Sequence, residues 1–341
     1  MPATPSGARG AIITGWGSAL PDTVLTNIDL ESMMETNDAW IRERTGIVQR
    51  HVGGTTAGLS AEAGRAALDM AGVGPDDVDA LILATTTPDR TVPASASTVQ
   101  HLLGLTRCGA FDLNAACSGW VYALVNAHGM IAMGARKVLV IGTDTLDRIT
   151  DYTDRNTGIL FGNGSGAATV EAVDGPGQML GWDLDSLGEA ESALYAEVGG
   201  VLQMEGREVF RRAVRLMADS GTKAMTRAGV TADDIALVVP HQANIRIIAA
   251  SLDRLDIPIE RASIVLDRTG NTSAASVPLA LVEALDQRRV ADGDLILFVG
   301  FGAGMSAASA VIRWSPNAVE FSGAPDPHDE PDPHDEGSHD D

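Results

Sequence analysis

The sequence predicts an α/β protein built from two duplicated α/β halves packed face to face. Short apolar runs alternate with amphipathic stretches along most of its length, the pattern of sheets buried between helices. Three of the runs recur in the same order, offset by 154 to 158 residues. Ala80-Leu81-Ile82-Leu83-Ala84 returns as Ala236-Leu237-Val238-Val239-Pro240. The run around Phe111 returns as Ile264-Val265-Leu266-Asp267, and Val138-Leu139-Val140-Ile141-Gly142 as Ile296-Leu297-Phe298-Val299-Gly300. A unit of this length is too long for a solenoid repeat. The 37 glycines, many of them clustered, suit tight strand-to-helix connections.

Residues 11–15 open the chain as a strand. Residues 27–36 read as a helix started by a Thr/Asn cap, and residues 60–71 as an amphipathic helix ended by Gly72. Residues 79–85 are an apolar strand and 95–104 a further helix. Residues 110–113 read as a buried strand, 122–127 as a helix and 137–142 as a strand. The Gly/Pro break Asp174-Gly175-Pro176-Gly177 divides residues 1–175 from 176–321. Residues 322–341 hold eight acids, no Lys or Arg and a doubled Pro-Asp-Pro-His-Asp-Glu, which predicts a disordered acidic tail.

A formal charge of −22, of which −14 lies before the tail, argues against nucleic-acid partners. No run approaches the length of a membrane span, and residues 1–10 lack a signal-like apolar core. Two cysteines, Cys108 and Cys117, make no disulfide framework and fit a reducing, cytoplasmic setting. No metal or cofactor motif is present, although the three tail histidines could bind a metal weakly.

The chemistry centres on Asn114-Ala115-Ala116-Cys117-Ser118-Gly119-Trp120, where a strand turns into a helix. Free N–H groups and the positive helix end converge there. They favour the thiolate, predicting a lowered Cys117 pKa. Duplication brings the loop after Leu266, carrying Asn271, and the loop after Val239, carrying His241, towards the same centre. Such a set suits acyl transfer through a thioester. Cys117 becomes acylated, while His241 and Asn271 hold the enolate left by a decarboxylating second thioester. The backbone N–H groups of Cys117 and Ala303, the latter in Gly300-Phe301-Gly302-Ala303-Gly304, form the expected oxyanion hole.

Further blocks extend the pattern in order: Asp38-Ala39-Trp40-Ile41-Arg42-Glu43-Arg44-Thr45-Gly46-Ile47, Asp154-Arg155 with Leu160-Phe161-Gly162, Pro240-His241-Gln242-Ala243-Asn244-Ile245-Arg246 and Gly270-Asn271-Thr272-Ser273-Ala274-Ala275-Ser276. With them the sequence resembles the 3-ketoacyl-acyl-carrier-protein synthase III family of thiolase-fold condensing enzymes, over nearly all residues before the tail. The resemblance implies a five-layered αβαβα arrangement, a homodimer, and an acyl-CoA primer extended by malonyl-acyl carrier protein to initiate fatty acid biosynthesis. It implies no cofactor beyond the coenzyme A thioester substrate. It places Trp40 and Arg155 on either side of the CoA adenine and Thr36 near that base. Arg44 falls near the CoA phosphates, Asn244 on the pantetheine arm and Val92 at the primer pocket, often across the dimer.

Arg211, Arg212 and Arg215 recur on one helix face and, with Arg246 and Arg254, suggest a docking patch for an acidic carrier protein. Two departures from the family stand out. Gly162-Asn163-Gly164-Ser165-Gly166 carries Asn and Ser where many relatives carry Asp and Ala, and residues 182–203 follow no family pattern. Other readings are a ketosynthase III-like enzyme for a specialised starter unit, a non-decarboxylating acyltransferase, or an inactive scaffold binding carrier protein. The intact Cys-His-Asn set argues against the last two.

Overall fold

The structure is a computed structural model that describes residues 9–106 and 108–315. The first half contributes β1 (Gly10–Ala19), β2 (Thr23–Thr26), α1 (Asn27–Glu31), α2 (Asp38–Thr45), β3 (Gln49–Val52), α3 (Thr56–Ala71), β4 (Ala80–Ala84), α4 (Ser95–Leu103), β5 (Gly109–Leu113), α5 (Gly119–Ala132), β6 (Lys137–Thr145) and β7 (Asn163–Val173). Its five-stranded sheet has the order β1-β7-β6-β4-β5. There β4 runs parallel to β5 and β6, and β7 antiparallel to β6 and β1.

The second half contributes β8 (Met179–Ser186), β9 (Leu194–Tyr195), β10 (Gln203–Met204), α6 (Gly206–Ala228), β11 (Ile235–Pro240), α7 (Ile245–Arg254), α8 (Leu266–Thr269), α9 (Ser276–Asp286), β12 (Leu295–Gly302) and β13 (Ser306–Arg313). Its sheet, β11-β12-β13-β8, repeats β4-β6-β7-β1 in order and direction. The expected counterpart of β5 at residues 264–267 is not a strand. It is the entry to α8, and only a single parallel bridge, Val238 to Ala262, marks where a fifth strand would pair. Three apolar residues, Ile264 to Leu266, can be buried equally well in an irregular turn, so the run alone does not fix strand geometry.

Alternation along the strands builds five layers. Ala80, Ile82 and Ala84 of β4 and Val138 and Val140 of β6 face inward. They share one core with Trp120 to Ile131 of α5, Val277 to Ala284 of α9, and Leu237, Val239, Ile296 and Phe298 of the second sheet. Leu81, Leu83, Leu139 and Ile141 face outward onto α3 and α4. Val238, Leu297 and Val299 face outward onto α6 and α7. Strands β4, β6 and β12 are thus buried on both faces, and β11 nearly so, and all read as continuous apolar runs.

Local signals set most element ends. Thr26 caps α1 in a capping box with Asp29, and Thr55 caps α3, which begins at Thr56, four residues before its expected start. Gly72 ends α3 in the left-handed conformation. The helix expected over 27–36 stops at Glu31, where the Ser32 hydroxyl donates to the Asp29 carbonyl at 2.7 Å and competes with the helical ladder. Strand β5, expected to be buried, is an edge strand with Phe111 exposed. The acidic tail predicted at 322–341 lies outside the described residues.

Candidate active site

Two short turns organise the site, one before each central helix. Cys117 occupies a 3-10 turn, Ala116–Ser118, between β5 and α5. Its counterpart, Ser273–Ala275, precedes α9. Both begin on a left-handed non-glycine residue, Ala116 at φ 47° and Ser273 at φ 50°. The opposite sheet makes room for each with glycine. A Cβ on Gly302 would lie 2.7 Å from the Cys117 nitrogen, and one on Gly142 would lie 2.4 Å from the Ala274 oxygen. The Cys117 turn is also tied to the β12–β13 connection. Ser118 Oγ and Ser306 Oγ are 2.8 Å apart, and both donate to the Ala115 carbonyl.

Cys117 opens onto a cavity of about 1120 Å3 that Ala303, Ser273 and Phe161 also line. Leu146, Ile149, Leu194, Leu202 and Met204 give it apolar wall. The unpatterned stretch at 182–203 supplies much of this wall, including Ser186, Glu191 and Tyr195.

His241 and Asn271 are buried, 1% and 6% exposed, and are not among the residues that line the cavity. A single point above Gly300 is 3.5 Å from the His241 Cβ and 3.8 Å from the Cys117 carbonyl oxygen, so the two residues share one neighbourhood. The His241 N–H donates to the Val299 carbonyl at 2.8 Å, and its ring meets Phe301 edge-on at 5.3 Å. Nδ1 lies 2.6 Å from Ser276 Oγ, and Nε2 is buried with no hydrogen bond among the described residues. Asn271 is fixed by backbone bonds to Leu160 and Gly162, and its Oδ1 accepts the Ser273 N–H at 2.9 Å. Ser273 lines the same cavity as Cys117.

The thiol differs from the expectation of a lowered pKa. Burial pushes Cys117 up to about 12; the Ser273 hydroxyl and the residue's own N–H pull it down, and the Asp144 carboxylate pushes it further up. Loss of water around a thiol whose residue is only 9% exposed is the largest influence, and it raises the pKa. Burial also holds His241 down to about 3, so its ring is neutral at physiological pH.

A second group lies on α2 and its surroundings. Trp40 has the guanidinium carbons of Arg44 and Arg155 each 5.0 Å from its ring centroid. Arg155 also donates to the Glu35 carbonyl, and the neighbouring Asp154 lines the cavity. Asn244 caps α7 and donates to the Arg44 carbonyl at 2.9 Å, joining this patch to the His241 loop. Thr36 Oγ1 is buried without a partner among the described residues.

The arginines of α6 are largely engaged. Arg211 and Arg212 pair with Glu208 and Arg215 with Asp219. Arg246 lies over Phe210 at 5.7 Å. Among the described residues Arg246 and Arg254 form no ion pair. Val92 is 80% exposed and does not line the cavity of its own chain. No group of three His, Cys, Asp or Glu among the described residues could hold a metal.

Asp144, Ser273, Ser276 and Phe301 escaped the sequence reading as site residues. Asp144 is fully buried; it accepts from Thr85, Thr86 and Thr87 and from the Ala274 N–H, tying the β4 loop to the α9 turn. Its signal was available: Thr143-Asp144-Thr145 is a polar end on an otherwise apolar strand. Ser273 and Ser276 stood inside a quoted motif without a role.

The cavity cysteine, the neutral histidine and asparagine near it, and two like halves around a shared helical layer define a condensing enzyme of the thiolase fold. Residues 111–188 match the family described as 3-Oxoacyl-[acyl-carrier-protein (ACP)] synthase III, and residues 225–314 match its C-terminal part. A beta-ketoacyl-[acyl-carrier-protein] synthase III from Roseiflexus castenholzii is 48% identical over 327 residues, 90% of this chain and 99% of the relative. The crystal structure of 3-oxoacyl-[acyl-carrier-protein] synthase III from Aquifex aeolicus superposes with a TM-score of 0.88 at 41% identity, covering 89% of this chain and 100% of that one. The priming beta-ketosynthase of the R1128 polyketide pathway superposes at 0.85 and 34% identity, covering 91% and 98%. The chain therefore belongs to the beta-ketoacyl-[acyl-carrier-protein] synthase III family and is an acyltransferase of the condensing class.

Proposed function

We propose that the protein condenses an acyl-CoA primer with malonyl-acyl carrier protein, with loss of CO2, to give a 3-ketoacyl-acyl carrier protein and so initiate fatty acid biosynthesis. The observation that carries this reading is the cavity onto which Cys117 opens, with His241 beside the Cys117 backbone across Gly300 and Asn271 bonded to the Ser273 N–H of the cavity wall. The Cys117 sulfur attacks the primer thioester carbonyl, and its proton leaves with the CoA thiol. Because burial disfavours free thiolate, proton loss is coupled to attack rather than complete beforehand. The backbone N–H groups of Cys117 and Ala303 hold the tetrahedral oxyanion.

The malonyl thioester then decarboxylates. Neutral His241 and the Asn271 amide donate to its carbonyl oxygen as the enolate forms. The carbanion attacks the acyl-Cys117 carbonyl and expels the cysteine sulfur. No cofactor takes part. Trp40 and Arg155 hold the CoA adenine, with Thr36 close by. Arg44 meets the CoA phosphates, and Asn244 the pantetheine arm. Carrier protein docks on Arg211, Arg212, Arg215, Arg246 and Arg254, with Arg246 and Arg254 the least neutralised.

The protein acts as a cytoplasmic homodimer in which Val92 completes the partner's primer pocket, consistent with its exposure away from its own cavity. Likeness to the R1128 priming ketosynthase favours a second reading, the same chemistry on a specialised starter.

Intact-protein mass spectrometry after mixing with acyl-CoAs tests both. The panel runs from acetyl through branched short chains to long-chain primers. One acyl adduct on the wild type, absent from Cys117→Ala, is expected, and loading confined to an unusual starter selects the second reading. No adduct with any CoA overturns the acyl-CoA primer. His241→Ala and Asn271→Ala should still load primer but lose malonyl decarboxylation. Normal decarboxylation by His241→Ala would remove the assigned role.

A further inference from the structure

His241 can donate to a substrate oxygen only if its proton is on Nε2, and a neutral imidazole has two tautomers. We infer that Ser276 is the positioning residue that fixes this tautomer, its hydroxyl donating to Nδ1 so that Nε2–H is held for a substrate carbonyl. The inference rests on the enolate-binding role proposed for His241 and adds the residue that makes the role possible.

Ser276 Oγ and His241 Nδ1 are 2.6 Å apart, and the two residues are 0% and 1% exposed. Two proton arrangements fit that distance. If Nδ1–H donated to the hydroxyl, the serine proton would need an acceptor of its own. Ser276 Oγ makes no other hydrogen bond among the described residues. That arrangement would strand a buried hydroxyl proton and also leave the Nε2 lone pair bare. If the hydroxyl donates, only Nε2–H is unmatched, and it is the one donor that a carbonyl oxygen can later satisfy.

The geometry is held from both sides. Ser276 is the first residue of α9, in helical φ/ψ directly after the Ser273–Ala275 turn, so its Cβ direction is set by the central layer. The ring is held by the Val299 carbonyl through the His241 backbone and by the edge of Phe301. Rotation of the imidazole would break the 2.6 Å contact. Second-partner control of a histidine tautomer is a general device for choosing which ring nitrogen reacts.

The direct test is nitrogen NMR of full-length enzyme labelled at histidine with 15N, the His241 signals being identified by their loss in His241→Gln. The expected result is a neutral ring with proton-bearing Nε2 and bare Nδ1. A proton on Nδ1 in the wild type overturns the inference, whether or not any variant folds. In Ser276→Ala the Nδ1–H form should appear. Malonyl-carrier-protein decarboxylation should fall tenfold or more while primer loading on Cys117 stays within about twofold of wild type. Unchanged decarboxylation in a folded Ser276→Ala also overturns it. Normal decarboxylation by His241→Ala would instead strike the parent role, leaving the NMR result to stand for the serine.

Discussion

At the scale of residues, the cysteine shows two physical effects in opposition. A helix start favours the thiolate, and burial favours the thiol; burial is the larger influence and pushes the thiol up to about 12. Because this value lies above that of an exposed thiol, folding favours the protonated form. The stabilisation that this gives is complete below about pH 8.5 and is lost as pH climbs towards 12. Alkylation of Cys117 by iodoacetamide in the free enzyme should therefore keep rising with pH beyond 9, with no plateau at neutrality; a plateau by pH 7 would contradict the burial argument. Asp144→Asn removes the one carboxylate that adds to the shift and should speed alkylation at fixed pH. It should also lower stability by about 3 kcal/mol, because Asp144 accepts from three threonines and the Ala274 N–H inside the core.

At the scale of elements, the turns before α5 and α9 depend on glycines in the strand of the opposite half. Gly302→Ala would press its Cβ to 2.7 Å from the Cys117 nitrogen and 2.9 Å from the Ala116 Cβ. Gly142→Ala would press on the Ala274 carbonyl at 2.4 Å. Each is an overpacking of backbone and should cost about 1–3 kcal/mol. The chemical effects should separate. The first variant should chiefly lose primer loading, and the second, next to the Asn271–Ser273 turn, chiefly malonyl decarboxylation. Thermal melts with separate loading and decarboxylation assays check both.

These same elements show what was legible in the sequence. The core strands were, because a strand buried on both faces leaves a continuous apolar run, as at Val138 to Ile141 and Ile296 to Val299. The repeat followed from order and spacing, and the motif residues from the resemblance to the family. The run at 264–267 did not resolve, since its burial is met by a turn and α8 as readily as by a strand. Nor did Ser276 or Asp144 declare a role. Their importance lies in partners such as His241 and Ala274, which only folding brings near.

At the scale of the whole molecule, we propose residues 1–175 and 176–321 as the two halves. The first sheet ends with β7 at Val173 and the second begins with β8 at Met179. The halves share one central core through α5 and α9, so neither closes its own interior. The pairing left open is at the other side of the first sheet. Strand β5 forms an edge with no neighbouring strand on its outer side among the described residues, and Phe111 on it is 41% exposed. An edge of this kind is a template for a second strand. In the second half the same position holds the Val238–Ala262 bridge in place of a fifth strand among the described residues. Exposed Val92 and Leu102 add apolar surface from the loop before α4 and from α4 itself. A twofold pairing through β5 would bury that surface in an isologous interface. Light scattering coupled to gel filtration should give twice the mass of one chain for the wild type and one chain for Phe111→Asp. The monomeric variant should keep Cys117 and His241 in place yet load primer poorly, because Val92 would no longer reach a partner's pocket. A wild-type mass of one chain, or a monomeric Phe111→Asp that loads primer at the normal rate, would separate the site from the dimer.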